Sequence, residues 1–111
     1  MDPRNNEYYK DWILTLEDDI KLESADKIWR RIWEALETDG EEEMMYGLAS
    51  SEVIAAALGK PDVKLSKSIA EWAARTSNHL EDQLVRNAYN FLVGCQSGGG
   101  EYERDLKARL Y

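Results

Sequence analysis

At 111 residues the chain has the size of one domain, and folding at this size buries roughly two thirds of the unfolded surface, enough for one hydrophobic core. Its 43% hydrophobic and 32% charged residues, with only two prolines, favour a soluble helical protein, and no run approaches the ~18 apolar residues of a membrane span. The single cysteine, Cys95, excludes an internal disulfide and a Cys/His zinc cluster, and a net charge of −8 disfavours direct contact with a nucleic-acid backbone.

Apolar residues recur three and four apart, period-two alternation is missing, and there is no internal repeat. The expectation is therefore an all-α chain, a single domain over 1–111 built as one compact bundle of five to six short helices. The first helix is predicted from about Asn6 to Glu17, with Tyr9, Trp12, Ile13 and Leu16 on one face. The acidic run EDD at 17–19 would oppose the dipole of a helix C-terminus, so the helix is expected to end there. The second begins after Ser24, a good N-cap, and carries Ala25, Ile28, Trp29, Ile32, Trp33 and Leu36 as a stripe, stopping before Asp39 and Gly40.

The third spans roughly Glu41 to Leu58, with its acidic opening at the positive end of the dipole, Gly59 as its stop and Pro61 beyond. A fourth starts near Ser66 and presents Ile69, Trp72 and Ala73, with Leu65 as an N-terminal staple. The fifth is expected to open at Asn78, with Glu81 three residues on as a capping box, and to present Leu80, Leu84, Val85, Ala88, Phe91, Leu92 and Cys95. SGGG at 97–100 reads as a flexible joint, after which Tyr102, Leu106 and Leu110 mark a short sixth helix.

One residue breaks the pattern. In SSEVIAAALGKP, Glu52 falls between Met45 and Leu48 on a helical projection, among Ala49, Ala55 and Ala56, so it faces the core or its edge. An unpartnered carboxylate there costs several kcal/mol, so a donor is expected: a tryptophan indole, a tyrosine hydroxyl, Asn87, or one of Arg30, Arg75 and Arg86. The preferred role is a structural buried acid that fixes helix register, ahead of a catalytic acid, because general acid/base work needs companion groups and none is near in sequence.

Asp11 with Trp12, then Ala49, Glu52, Val53, Ile54, Ala55, Ala56, Gly59 and Pro61, then Leu65 and Trp72, then the 102–110 helix together resemble a family of small bacterial proteins catalogued only as a domain of unknown function, with an Asp-Trp pair and an AxEVIAALxGxP-like helix. The Trp-Gly and Asn-Asp segment that opens the family pattern is missing from MDPRNNEYYK. The resemblance implies an all-helical fold, no established activity, and Glu52 as a family feature.

Catalytic signatures are wanting. The only histidine, His79, sits at an expected helix start and reads as a surface residue, and GGG at 98–100 lacks the preceding strand and the following Lys-Ser/Thr of a phosphate loop. Glu17, Asp18 and Asp19, and Glu41, Glu42 and Glu43, lack the spacing of a calcium loop; Glu34 and Glu37 form one ExxE pair where magnesium-binding helical enzymes use two. Trp29 and Trp33, one turn apart, are read as core rather than as a ligand wall.

Charge layout is the remaining signal. Residues 1–52 hold fifteen acids and six bases, a net of −9, whereas residues 53–111 hold seven acids and eight bases, a net of +1. Glu34, Glu37, Asp39, Glu41, Glu42 and Glu43 place six acids and no base within ten residues. The reading is a non-enzymatic, cytoplasmic, acidic binding protein of the inhibitor or immunity type, docking these residues on a basic partner such as a nuclease, with no cofactor, metal or membrane. The alternatives are a metal-dependent hydrolase using clustered carboxylates and a structural module of a larger assembly; the sequence leaves the oligomeric state open.

Overall fold

A helix that is apolar on one stripe can lie at a surface, whereas one that is apolar on every side has to be enclosed. The third helix is of the second kind, and the architecture follows from it. The computed structural model describes residues 2–38, 40–94 and 101–110; among these it has six α-helices, two short 3-10 turns and no strand. The helices are α1 (Glu7–Asp19), α2 (Ala25–Ala35), α3 (Glu41–Ala57), α4 (Lys67–Arg75), α5 (Asp82–Gly94) and α6 (Glu101–Arg109), with 3-10 turns at Pro3–Asn5 and Ser77–His79. This is the expected all-α bundle. Asp39, Cys95 and the SGGG stretch at 97–100 lie outside the described residues.

All of α3 from Gly47 to Ala56 is buried, and the other five helices all touch it. They turn single apolar stripes inward: Leu16 from α1, Ile28 and Ile32 from α2, Ile69 and Ala73 from α4, Leu84 and Leu92 from α5, and Leu106 from α6, in one cluster. Trp29 and Trp72 stack within it, centroids 5.4 Å apart and planes 20° from parallel, and the Trp29 indole N–H donates to Thr76 Oγ1 at 2.9 Å. Small residues on α3 let its neighbours come close. At Gly47 the Phe91 ring of α5 occupies the space that a side-chain methyl group would need.

The helix ends show where local signals prevail and where they do not. Gly59 stops α3 as expected: its φ of 85° allows Lys60 N–H to reach Ala55 O at 2.9 Å and its own N–H to reach Ala56 O at 3.0 Å, the Schellman pattern. Ser24 caps α2 by accepting from Lys27 N–H. The first helix, in contrast, runs through the acidic EDD to Asp19. Arg31 of α2 pairs with Asp19 and with Glu23 at 2.6 Å, supplying the positive charge that the helix end requires.

The fifth helix begins at Asp82, four residues later than expected. Ser77–His79 form a 3-10 turn followed by extended Leu80, so the Asn78–Glu81 capping box is not made. Two long-range contacts hold that turn against α2: the Trp29–Thr76 bond and His79 Nδ1, 2.8 Å from Asp26 Oδ1.

Candidate functional site

Two groups of acidic residues attract attention, and their surroundings are opposite in character. The first lies at the corner between α2 and α3. Glu34 belongs to the last turn of α2 and Glu37 to the turn after it, and both are exposed; Glu41 and Glu42 are exposed and Glu43 half-buried in the first turn of α3. The corner is fixed by Glu37 N–H donating to Glu34 O at 3.1 Å and by the Trp33 indole N–H donating to Glu37 Oε1 at 2.9 Å. Glu41, Glu42 and Glu43 also sit at the positive end of the α3 dipole, which accounts locally for an acidic first turn.

Tyr8 reaches this corner from α1. Its hydroxyl donates to Glu42, which holds the phenol above its ordinary pKa. Among the described residues no lysine or arginine forms an ion pair with Glu34, Glu37, Glu41, Glu42 or Glu43. Some acids elsewhere are paired: Arg4 takes Asp2 and Asp62, Arg31 takes Asp19 and Glu23, and Arg109 takes Glu52 and Asp105, whereas Glu7, Asp11, Glu17, Asp18, Glu81, Asp82 and Glu101 are, like the corner, outside these pairs. These three arginines neutralise carboxylates away from the corner.

The second group surrounds Glu52, which is fully buried. Tyr102 of α6 donates its hydroxyl to Oε1 at 2.9 Å. Arg109, two turns further along α6, donates Nη2 to Oε1 at 3.0 Å and Nη1 to Oε2, a two-pronged pairing that fits the planar guanidinium. Arg109 also reaches Lys60 O at 3.2 Å and Asp105 Oδ2 at 2.9 Å. Asn87, Arg30, Arg75 and Arg86, considered from sequence as donors, are not the partners.

The cluster extends into α1 and the N-terminal turn. The Tyr9 and Tyr102 hydroxyls are 3.1 Å apart, their rings meet edge to face, and the Arg4 guanidinium lies 5.0 Å from the centre of the Tyr102 ring. Arg4 in turn donates to Asp62 Oδ2 at 2.6 Å. Burial, with the charge of Glu52 adding to it, pushes the Tyr9 phenol above its ordinary value. Burial likewise raises Tyr102, reinforced by Tyr9 and Glu52. Both phenols therefore remain protonated and able to donate. Burial lowers Arg109, but the hydrogen bonds and charges of Glu52 and Asp105 together outweigh it and raise the group; those of Asp2 and Asp62 raise Arg4 against burial in the same way.

Chemically, the two groups offer different things. Both oxygens of Glu52 are occupied and the side chain has no exposed surface, so the arrangement ties α3 to α6. It does not present a carboxylate to a substrate. The corner presents open carboxylates, yet among the described residues no three His, Cys, Asp or Glu side chains come together as a metal-holding group. Also among the described residues, no helix is long and apolar enough to cross a membrane. Comparison of the chain with protein-family models, curated proteins and solved structures gives no match.

The residue missed from sequence was Arg109. Its signal was present but faint: Tyr102, Leu106 and Arg109 share one face of α6, so a cation occupies an inward position there as Glu52 does on α3. Two misplaced charges of opposite sign, 57 residues apart, are each other's partners.

Proposed function

We propose that this protein is a small acidic binding protein of the inhibitor or immunity type, which docks the α2–α3 corner onto the basic face of a partner such as a nuclease. The observation that carries the reading is the concentration of acids at that corner with no ion-paired base among the described residues. Glu34, Glu37, Glu41, Glu42 and Glu43 cluster at one corner without an ion-paired base, while Arg4, Arg31 and Arg109 are engaged by acids elsewhere. Concentrated unpaired charge steers an oppositely charged partner and raises its association rate. Trp33, half-buried beside Glu37, adds the kind of aromatic anchor that interface centres favour.

The test uses two baits in native lysate, wild type and E34K/E37K/E41Q/E42Q, the latter checked for unchanged circular dichroism. Wild type is expected to retain a basic protein at 0.1 M salt and to release it near 1 M, where the Debye length has fallen from ~10 Å to about 3 Å. The substituted bait is expected to retain little of it at either concentration. Identical captures on both baits, or acidic partners only, would count against the proposal.

A further inference from the structure

A cavity of about 340 Å³ lies between the N-terminal 3-10 turn, the first half of α1 and the 62–66 segment leading into α4. Its size is at the lower end of small-molecule pockets, roughly 300–1,000 Å³. Tyr9, Ile13, Leu14 and Leu65 give it an apolar lining. Leu14, on the outward side of α1, is 58% exposed and extends this lining to the rim.

The charges around this cavity run against those of the whole molecule. Arg4 and Asp62 both line it and are paired at 2.6 Å, and Arg4 pairs with Asp2 as well, so one guanidinium serves two carboxylates. Lys10 and Lys64 stand beside them, both exposed and neither ion-paired among the described residues, with the charge of Lys64 acting on Asp2. Arg4, Lys10 and Lys64 against Asp2 and Asp62 leave a net charge of +1 around an apolar recess, a local reversal on a chain of net charge −8. Its walls are held from behind: the Tyr9 hydroxyl is bonded to Tyr102, and Arg4 is fixed by Asp2 as well as by Asp62.

We propose that this cavity binds a small amphipathic anion, a carboxylate carried on a short alkyl or aryl tail. The tail lies against Ile13, Leu14 and Leu65, and the carboxylate sits between Lys10 and Lys64. The apolar lining rejects a fully hydrated inorganic anion, and the two lysines reject a cation of the same tail length. This site is separate from the α2–α3 corner and does not rest on the docking proposal.

The probe is octanoate, titrated into isotopically labelled full-length protein and followed by amide chemical shifts. Saturable shifts are expected at Lys10, Ile13, Leu14, Lys64 and Leu65, with affinity at least about tenfold above that of octyltrimethylammonium. Affinity should grow by about two- to fourfold per methylene from butyrate to octanoate. The K10E/K64E variant should lose at least about tenfold in octanoate affinity, and K10Q/K64Q an intermediate amount, each with unchanged circular dichroism. Absence of saturable shifts, shifts centred elsewhere, equal affinity for the cationic surfactant, or undiminished binding by K10E/K64E would each overturn the assignment. So would sedimentation with phosphatidylglycerol vesicles when octanoate produces no response, since the anion recognised would then be a membrane headgroup.

Discussion

Replacing Glu52 with alanine is expected to lower the melting temperature by roughly 12–20 °C, since removing one partner of a buried ion pair costs about 3–5 kcal/mol and a domain of about 100 residues loses about 4 °C per kcal/mol. The loss comes mainly at Arg109, whose side chain is only 14% exposed and which loses both bonds to Glu52, keeping only Asp105 and Lys60 O. Tyr102 is less affected, because its hydroxyl keeps the Tyr9 contact at 3.1 Å. Tyr102→Phe should cost about 1.5–3 kcal/mol, the worth of a hydrogen bond to a charged group, since it also takes the partner from the Tyr9 hydroxyl.

The pairing argument makes a sharper demand on a double substitution. Buried ion pairs replaced as a unit by apolar residues are often neutral or even stabilising. Glu52→Met combined with Arg109→Met should therefore recover most of what Glu52→Ala loses, whereas either methionine alone should not. Thermal denaturation of the four proteins closes the cycle. If Glu52→Ala melts like wild type while capture of the partner is lost, the residue serves function and not the body of the fold.

Much of the architecture was legible in the sequence because it rests on local chemistry. The apolar stripes, the Ser24 cap and the Gly59 stop all act within a few residues, and each appears where the spacing placed it. The departures share one physical cause, a partner distant in the chain. Arg31 permits α1 to continue through EDD, and contacts from Trp29 and Asp26 hold Ser77–His79 out of α5. Glu52 was conspicuous as an acid in apolar company, but Arg109 and Tyr102 were concealed by a separation of 50 residues or more. The acidic corner was visible as composition; that Glu34, Glu37, Glu41, Glu42 and Glu43 have no ion-paired base among the described residues is a property of the folded molecule.

The second large effect is expected at Gly47, where two terms of opposite sign compete. Alanine is favoured over glycine in a helix interior by about 1 kcal/mol, which by itself would stabilise α3. At this position, however, the added methyl group overlaps the Phe91 ring, and overpacking a well-filled core costs about 1–3 kcal/mol. Phe91 is only half-buried, so its ring can yield in part, and with a net cost of up to about 2 kcal/mol Gly47→Ala is expected to lower the melting temperature by up to about 8 °C at about 4 °C per kcal/mol.

The sign of this effect depends on the ring, which makes the explanation testable. In a Phe91→Ala background the overlap is removed, and Gly47→Ala should become neutral or stabilising. Persistence of the same loss without the ring would place its origin in the α3 backbone and not in the α3–α5 contact.

The central claim is that the α2–α3 corner carries negative potential which the protein's own bases leave uncompensated. It can be measured without a partner, by comparing how strongly cationic and anionic nitroxides of similar size relax individual amide protons. At 0.1 M salt, where screening acts over ~10 Å, the amides of Glu34, Glu37, Glu41, Glu42 and Glu43 should show the largest excess of relaxation by the cationic probe. An excess no greater there than over the rest of the surface would contradict the account.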